Sequence, residues 1–285
     1  MNLTLIETGG TICMADGPEG LRPAPEKVAA ALAQIAPGQG LDHQKLEPLV
    51  DSADVGPTVW NRLLDRIEAA QGPVIVTHGT DTMAFTGAAL DAALAGQGRC
   101  IVLTGSMHPL GLPGSDAEGN LSLAIQTALG GAAGLHLAFD GACLPAGCVT
   151  KADSQSAAAF VRAGDAGAPP PVARRFDPAK SLGIVTLTPG LAPRALTAML
   201  EPLDGAVLRV FGAGTMPGAL GQTLMGFKGK PMIAVSQCAQ GGLAPGAYAA
   251  GAALWAAGVE NGGRMSAEQA LTRLWLRLSV ASPKA

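Results

Sequence analysis

Five short clusters in this 285-residue chain combine hydroxyls, glycines and charged side chains in ways that suit chemistry on a small polar molecule. Thr8-Gly9-Gly10-Thr11 sets two flexible residues beside a hydroxyl; the glycines permit positive φ and expose backbone N–H groups to an anion or oxyanion. Thr11 is a candidate nucleophile, although a threonine hydroxyl is weak until a base activates it. His78-Gly79-Thr80-Asp81-Thr82 is the richest cluster. Asp81 there also suits the start of a helix as a cap, and His78 reads as a hydrogen-bonded structural residue rather than a metal ligand. Asp51-Ser52-Ala53-Asp54 and Thr104-Gly105-Ser106-Met107-His108 add further hydroxyls. Lys151 closes a stretch, 141–150, that carries no charge. A lysine in such a setting can act as a base and replace histidine in a triad, if a hydroxyl and a carboxylate lie beside it; the same pattern suits a surface lysine with a buried stem. The glycine-rich fingerprints of dinucleotide-binding and P-loop proteins are both absent.

Positioning these clusters requires strands. Leu3–Thr8, Leu46–Val50, Pro73–Thr77, Cys100–Thr104 and Leu135–Phe139 are short apolar runs. Helical patterns fall between them at Glu26–Ile35, Thr58–Ala70, Asp81–Leu94 and Glu118–Leu129. That alternation predicts an α/β fold: mostly parallel sheets with flanking helices. Ligands of open parallel sheets bind beyond the carboxyl ends of the strands, and four of the clusters directly follow four of the expected strands. The segment from Arg162 to Lys180 has three consecutive prolines and no apolar period, the pattern of an extended linker. Beyond it the rhythm resumes with strands at Gly183–Leu187, Ala206–Phe211 and Pro231–Ser236, and helices at Arg194–Leu200, Tyr248–Ala257 and Ser266–Leu278. Ser266 reads as an N-cap that narrowly misses a full capping box. The expected organisation is a larger N-terminal domain over 1–161, a Pro-rich linker over 162–181 and a smaller C-terminal α/β domain over 182–285.

Composition narrows the function classes. Charged residues make up only 14% of the chain and the net charge is −3, so nothing supports a general grip on nucleic-acid phosphates. The uncharged stretch 241–259 is mostly Ala and Gly with Pro245 inside, too weakly apolar for a membrane span; a buried, closely packed helix is expected there. The start, MNLTLIET, lacks the features of a signal peptide. Five scattered cysteines without a CxxC or His at ligand spacing fit reduced thiols in a cytoplasm, and no metal site is expected.

Thr8-Gly9-Gly10-Thr11-Ile12 and His78-Gly79-Thr80-Asp81-Thr82 together resemble the two threonine motifs of the bacterial-type L-asparaginases. Asp51-Ser52-Ala53-Asp54, Thr104-Gly105-Ser106-Met107 with Ser115-Asp116 and Asn120, and Thr150-Lys151 extend the likeness. So do Phe211-Gly212-Ala213-Gly214-Thr215, Ser236-Gln237-Cys238 and 248–263, which resemble the cytoplasmic type I branch. The resemblance implies hydrolysis of the side-chain amide of L-asparagine to L-aspartate and ammonia. Thr11 would be the acylated nucleophile, and Thr80, Asp81 and Lys151 a second, triad-like group that moves protons and activates water. Ser52 would take the substrate α-carboxylate and Asp81 its α-ammonium, with Gly10, Ala53, Gly79 and Ser106 completing the substrate-binding set. No cofactor, nucleic acid or membrane is implied; a homodimer or homotetramer is. The alternatives are a glutaminase-asparaginase or other small-amide amidohydrolase, and a catalytically weak amino-acid-binding member of the family. Three departures motivate them. Leu21 stands at the position of a loop tyrosine that many relatives place against the nucleophile, Thr215 stands where asparagine is common, and Ala53 replaces a frequent polar residue.

Overall fold

The computed structural model describes residues 2–17, 20–24, 26–165 and 173–280. The chain divides into two compact units, the first running to Arg162 and the second built mainly from residues beyond 170. The expected linker falls at this division, but 166–172 lie outside the described residues.

The first unit is built on a six-stranded sheet of order β4-β1-β5-β6-β7-β8. Its strands are β1 (Asn2–Glu7), β4 (Gly40–Lys45), β5 (Val74–Thr77), β6 (Cys100–Thr104), β7 (Gly134–Phe139) and β8 (Ala142–Pro145). Every pairing is parallel except β7 with β8. A small hairpin of β2 (Met14–Gly17) and β3 (Gly20–Pro23) follows the first motif. Helices α1 (Glu26–Ile35) and α4 (Ala117–Gly130) pack on one face, burying Leu3, Leu5, Val28, Leu32, Leu121 and Ile125 together. On the other side, α2 (Pro57–Ala69) packs against α3 (Met83–Leu94). The helix α2 opens with Pro57 at its first turn and shows a one-sided apolar stripe of Val59, Leu63 and Ile67. By contrast α3 is apolar all round and nearly all buried, as a helix covered on every side must be. The unit ends in a short antiparallel pair, β9 (Val149–Lys151) and β10 (Phe160–Arg162), with Phe160 edge-on to Phe139 at 5.0 Å between ring centroids.

One expected strand is displaced. The run Leu46–Val50 is a loop, and the strand is β4, immediately upstream. As an edge strand β4 has one neighbour, so a polar sequence, Asp42-His43-Gln44-Lys45, pairs with β1 without a continuous apolar run. Pro48 has no N–H to offer a ladder. Leu46 is nevertheless buried, and the Leu46 and Val50 N–H groups donate to the Glu7 and Thr8 carbonyls.

The second unit is a four-stranded parallel sheet of β11 (Leu182–Thr186), β12 (Gly205–Val210), β13 (Met232–Ser236) and β14 (Glu260–Asn261), in that order. Helices α5 (Pro193–Leu200), α6 (Gly221–Gly226), α7 (Ala252–Ala256) and α8 (Ala267–Leu278) surround it. Helix α8 starts in a complete capping box rather than a near-miss: Gln269 N donates to Ser266 Oγ, and Ser266 N donates to Gln269 Oε1. The expected helix at Tyr248–Ala257 shrinks to a single 3-10 turn plus α7, and most of 241–250 is exposed, with Tyr248 at 60%. Glycines 241, 242 and 246 all take positive φ, which ends any helix there. At the described end of the linker, Phe176 is buried and Asp177 is held to α8, its carbonyl accepting from Trp275 Nε1 at 2.9 Å.

Candidate active site

The sheet order fixes where a ligand belongs. After β1 the chain steps outward to β4, then returns past β1 to β5 on the other side. Thus β1 and β5 lead away from each other at a topological switch point, where the loops beyond their carboxyl ends leave a crevice. Thr8-Gly9-Gly10-Thr11 leaves β1 there, and His78-Gly79-Thr80-Asp81-Thr82 leaves β5.

These loops interlock through glycines. Gly10 takes φ 87 and ψ 174, a region essentially restricted to glycine. A Cβ on Gly10 would stand 2.5 Å from Gly79 Cα and N, and one on Gly79 would stand 2.6 Å from Ser52 Oγ. Backbone therefore meets backbone where side chains would hold the loops apart. The Ser52 loop is tied in from both ends: Thr82 Oγ1 donates to Ser52 O at 2.6 Å, and Ala53 N donates to Asp51 Oδ1 at 2.9 Å. Ser52 is buried, while Ala53 is exposed. Thr11 begins a 3-10 turn, Thr11–Cys13, and is half-buried. Inside that turn, Cys13 Sγ donates to Gly10 O at 3.1 Å; burial pushes the thiol up to about 11, which keeps the proton on sulfur.

Lys151 arrives from a remote part of the sequence. The turn Ala146–Cys148 lies so close to α3 that a Cβ on Gly87 would stand 2.4 Å from Ala146 O, and one on Gly147 would stand 2.3 Å from Asp91 Oδ2. This close packing docks β9 onto α3, and the start of α3 carries Thr80 and Asp81 just ahead of it. Lys151 Nζ donates to Thr80 Oγ1 at 2.8 Å and to Asp81 Oδ1 at 2.7 Å. The lysine side chain is 15% exposed, whereas that of Asp81 is 71% exposed. So open an ion pair adds little stability; its consequence is to orient the buried Thr80 hydroxyl. Because Thr80 Oγ1 accepts from Lys151, its own proton is left to be given elsewhere.

A second chain of bonds holds the Gly79–Thr80 loop from below. His78 is fully buried and its Nδ1 lies 2.7 Å from Gly79 O, so Nδ1 carries the proton and donates. Nε2 then accepts from Thr86 Oγ1 at 2.9 Å, and Thr86 Oγ1 accepts from Trp60 Nε1 at 3.2 Å. Burial lowers His78 to about 4, consistent with a neutral imidazole. Trp60 and Thr86 carried no mark of this role in the sequence, since each reads as an ordinary buried position of a helix. On the β6 side, Asp116 accepts from Met107 N and His108 N, and Asn120 Nδ2 donates to Gly105 O at 3.0 Å. Ser106 Oγ donates to His108 O at 2.5 Å and is buried within its own loop. Leu21 pairs with Asp16 across the β2–β3 hairpin, but its side chain lies outside the described residues. No group of three His, Cys, Asp or Glu side chains gathers as a metal would require, among the described residues.

The fold and these contacts define a class: a two-unit α/β protein with hydroxyl-bearing loops gathered at a switch point of its first sheet. Residues 2–173 match the family model described as Asparaginase, N-terminal, and residues 182–284 match the Glutaminase/Asparaginase C-terminal domain. The chain belongs to the asparaginase family. It is 31% identical to an L-asparaginase of Thermococcus kodakarensis over 96% of this chain and 92% of that protein. It is 30% identical to L-asparaginase 1 of Escherichia coli K12, covering 95% and 90%. The solved structure of the thermostable L-asparaginase from Thermococcus kodakarensis superposes with a TM-score of 0.85 at 29% identity, covering 98% of this chain and 93% of that one. No helix among the described residues is long and apolar enough to cross a membrane.

Proposed function

We propose that this protein is an L-asparaginase that hydrolyses the side-chain amide of free L-asparagine through an acyl-enzyme on Thr11. The observation that carries the reading is the Lys151–Thr80–Asp81 cluster, set on the loop whose Gly79 touches Gly10, next to Thr11 in sequence. In this reading Thr11 Oγ1 attacks the amide carbon and its proton passes through the site to the leaving nitrogen. The C–N bond breaks and ammonia departs, leaving an ester. Water then attacks the ester carbonyl and passes a proton to Thr80 Oγ1, held by Lys151, as Thr80 gives its own proton to the departing Thr11 Oγ1; the ester C–O bond breaks and aspartate is released. Backbone N–H groups near Gly10, Thr11 and Gly79-Thr80 stabilise the oxyanion; a donor of this kind is worth about 2.7–4 kcal/mol in comparable sites. Ser52 receives the α-carboxylate and Asp81, open to solvent, the α-ammonium. Gly10, Ala53, Gly79 and Ser106 shape the remainder of the pocket. The cysteines at 13, 100, 143, 148 and 238 form no disulfide, which fits work in a reducing cytoplasm. A homodimer or homotetramer belongs to the same reading, and light scattering coupled to size exclusion tests it.

The decisive experiment is ammonia release from asparagine and glutamine by the purified protein and by Thr11→Ala. Asparagine is expected to be the better substrate, with activity abolished in the variant. Normal turnover in Thr11→Ala removes the nucleophile assignment, and a higher rate on glutamine replaces the substrate.

A further inference from the structure

The loop between β6 and α4, residues 105–116, touches both threonine motifs. At its start a Cβ on Gly105 would collide with His78 O, and just ahead of it Thr104 O accepts from His78 N at 2.9 Å. Further along, Leu110 N donates to Ile12 O at 3.4 Å, and the buried Leu110 side chain shares a core cluster with Ile12 and Cys13. The stretch 105–110 therefore bridges the turn that carries Thr11 and the loop that carries Thr80.

The start of α4 holds this bridge instead of capping itself. Asp116 stands at the N-cap of α4, where an aspartate ordinarily accepts from the first N–H groups of its own helix. Its carboxylate makes no such bond. It accepts from Met107 N at 2.9 Å and from His108 N at 3.0 Å, and bonds to a charged acceptor are the stronger kind. Ser115 Oγ takes over at the helix, accepting from Ala117 N, and also donates to His108 O. Asn120 lies one turn along and is buried. Its Nδ2 donates to Asp116 Oδ2 and to Gly105 O, both at 3.0 Å, and its Oδ1 accepts from Asp140 N at 2.8 Å. Asp140 sits between β7 and β8 and is the one non-glycine residue with a positive φ, 46, among the described residues. One amide thus ties the carboxyl ends of β6 and β7 together, and a carboxylate in its place could not donate to Gly105 O.

We propose that Asp116 and Asn120 are positioning residues for the hydrolysis: they fix the 105–110 bridge and, through it, the placement of Thr11 against Thr80. The groups assigned to the substrate's α-carboxylate and α-ammonium are fastened separately, by the Thr82–Ser52 bond and the Lys151–Asp81 pair. Loosening the bridge therefore costs turnover rather than binding. The inference rests on Thr11 and Thr80 carrying the reaction.

The test compares Asp116→Ala, Asp116→Asn and Asn120→Leu with Glu118→Gln. Glu118 is an exposed carboxylate in the same first turn of α4, so its variant reports the loss of helix-dipole charge alone. In Asp116→Ala and Asn120→Leu, kcat for asparagine is expected to fall about 10–100-fold with KM within about threefold of wild type. Asp116→Asn keeps one acceptor oxygen and should fall between, while Glu118→Gln should match wild type. Hydrogen exchange followed by mass spectrometry should be faster in peptides covering residues 8–13 in Asp116→Ala and Asp116→Asn. Three results overturn the proposal: kcat close to wild type in the Asp116 and Asn120 variants, an equal loss in Glu118→Gln, or exchange over residues 8–13 that does not change. A wild type that releases no ammonia, with exchange over 8–13 still faster in the Asp116 variants, overturns the reading of the reaction and leaves the fastening of the turn in place.

Discussion

The contact between Gly10 and Gly79 makes a quantitative claim about Gly10→Ala. The new Cβ would stand 2.5 Å from Gly79 Cα and N, where ordinary contacts begin at 3.4 Å. The loops beyond β1 and β5 must then part by about 0.9 Å, since backbone atoms have no rotamer by which to retreat. A displacement on the order of 1 Å between reacting groups can cost about 10²-fold in rate. Alanine at φ 87 and ψ 174 adds strain of about 1–3 kcal/mol. Gly38 separates the two effects. It too has a positive φ, of 85, but a Cβ there meets nothing within 4 Å. Gly38→Ala should therefore lower the urea midpoint while leaving turnover within about twofold, because strain on a turn away from the crevice moves no reacting group. Gly10→Ala should lower both, with kcat down about 10²-fold or more. The assay is steady-state ammonia release beside urea unfolding of each variant. If Gly10→Ala turns over at a rate comparable to Gly38→Ala, the loops are not held in working position by this contact and the argument fails.

Lys151→Met should cut kcat/KM by about 10²–10⁴-fold, the range for losing a positioned proton-transfer group. Its stability should change by no more than about 1 kcal/mol, since the carboxylate partner is open to solvent; a large shift in the urea midpoint with little loss of rate would make Lys151 a structural lysine. Glu7→Gln should change the pH dependence of stability. Below about pH 4.5 the folded and unfolded wild-type chains both hold the Glu7 proton; as pH rises through about 8, the unfolded chain gives it up first, so stability is progressively lost. The limit of that loss, from 4.5 to about 8, is ~5 kcal/mol, absent in the variant. Urea unfolding at about pH 5, 7 and 9 checks it, and a wild-type-to-variant difference that stays flat contradicts it.

The parallel architecture was legible because β1, β5, β6 and β7 are fully covered strands, and continuous apolar runs of that length have few other uses. The two threonine motifs and Lys151 were legible by type and order, but not their contact. What joins them is a pair of glycines against each other and a second pair, Gly87 and Gly147, that lets the Lys151 strand dock on α3. Glycine in a sequence announces freedom, not the particular backbone it will touch. The displaced strand has a related cause: β4 is polar because it has one neighbour, and apolar patterning registers burial rather than hydrogen bonding. Glu7 is the opposite failure. A single charged residue at the end of an apolar strand reads as the strand's exit to solvent, whereas here its carboxyl is completely buried.

The scarcity of charge in this chain acquires a meaning from where the charges fall. Arg99 reaches the carbonyls of Ile67, Glu68 and Ala70 at the end of α2, and Lys230 those of Leu200, Glu201 and Leu203 at the end of α5. Each cation thus meets several carbonyls at the C-terminal end of a helix, the negative end of its dipole. Lys151 does the same kind of work on a hydroxyl and a carboxylate in the crevice. In each case a long side chain reaches acceptors on a segment remote in sequence. The crevice walls themselves are made by backbone and small residues, which need no charge. Substituting Arg99 or Lys230 therefore acts on the ends of scaffold helices, whereas substituting Lys151 acts on the loop that carries Thr80 and Asp81.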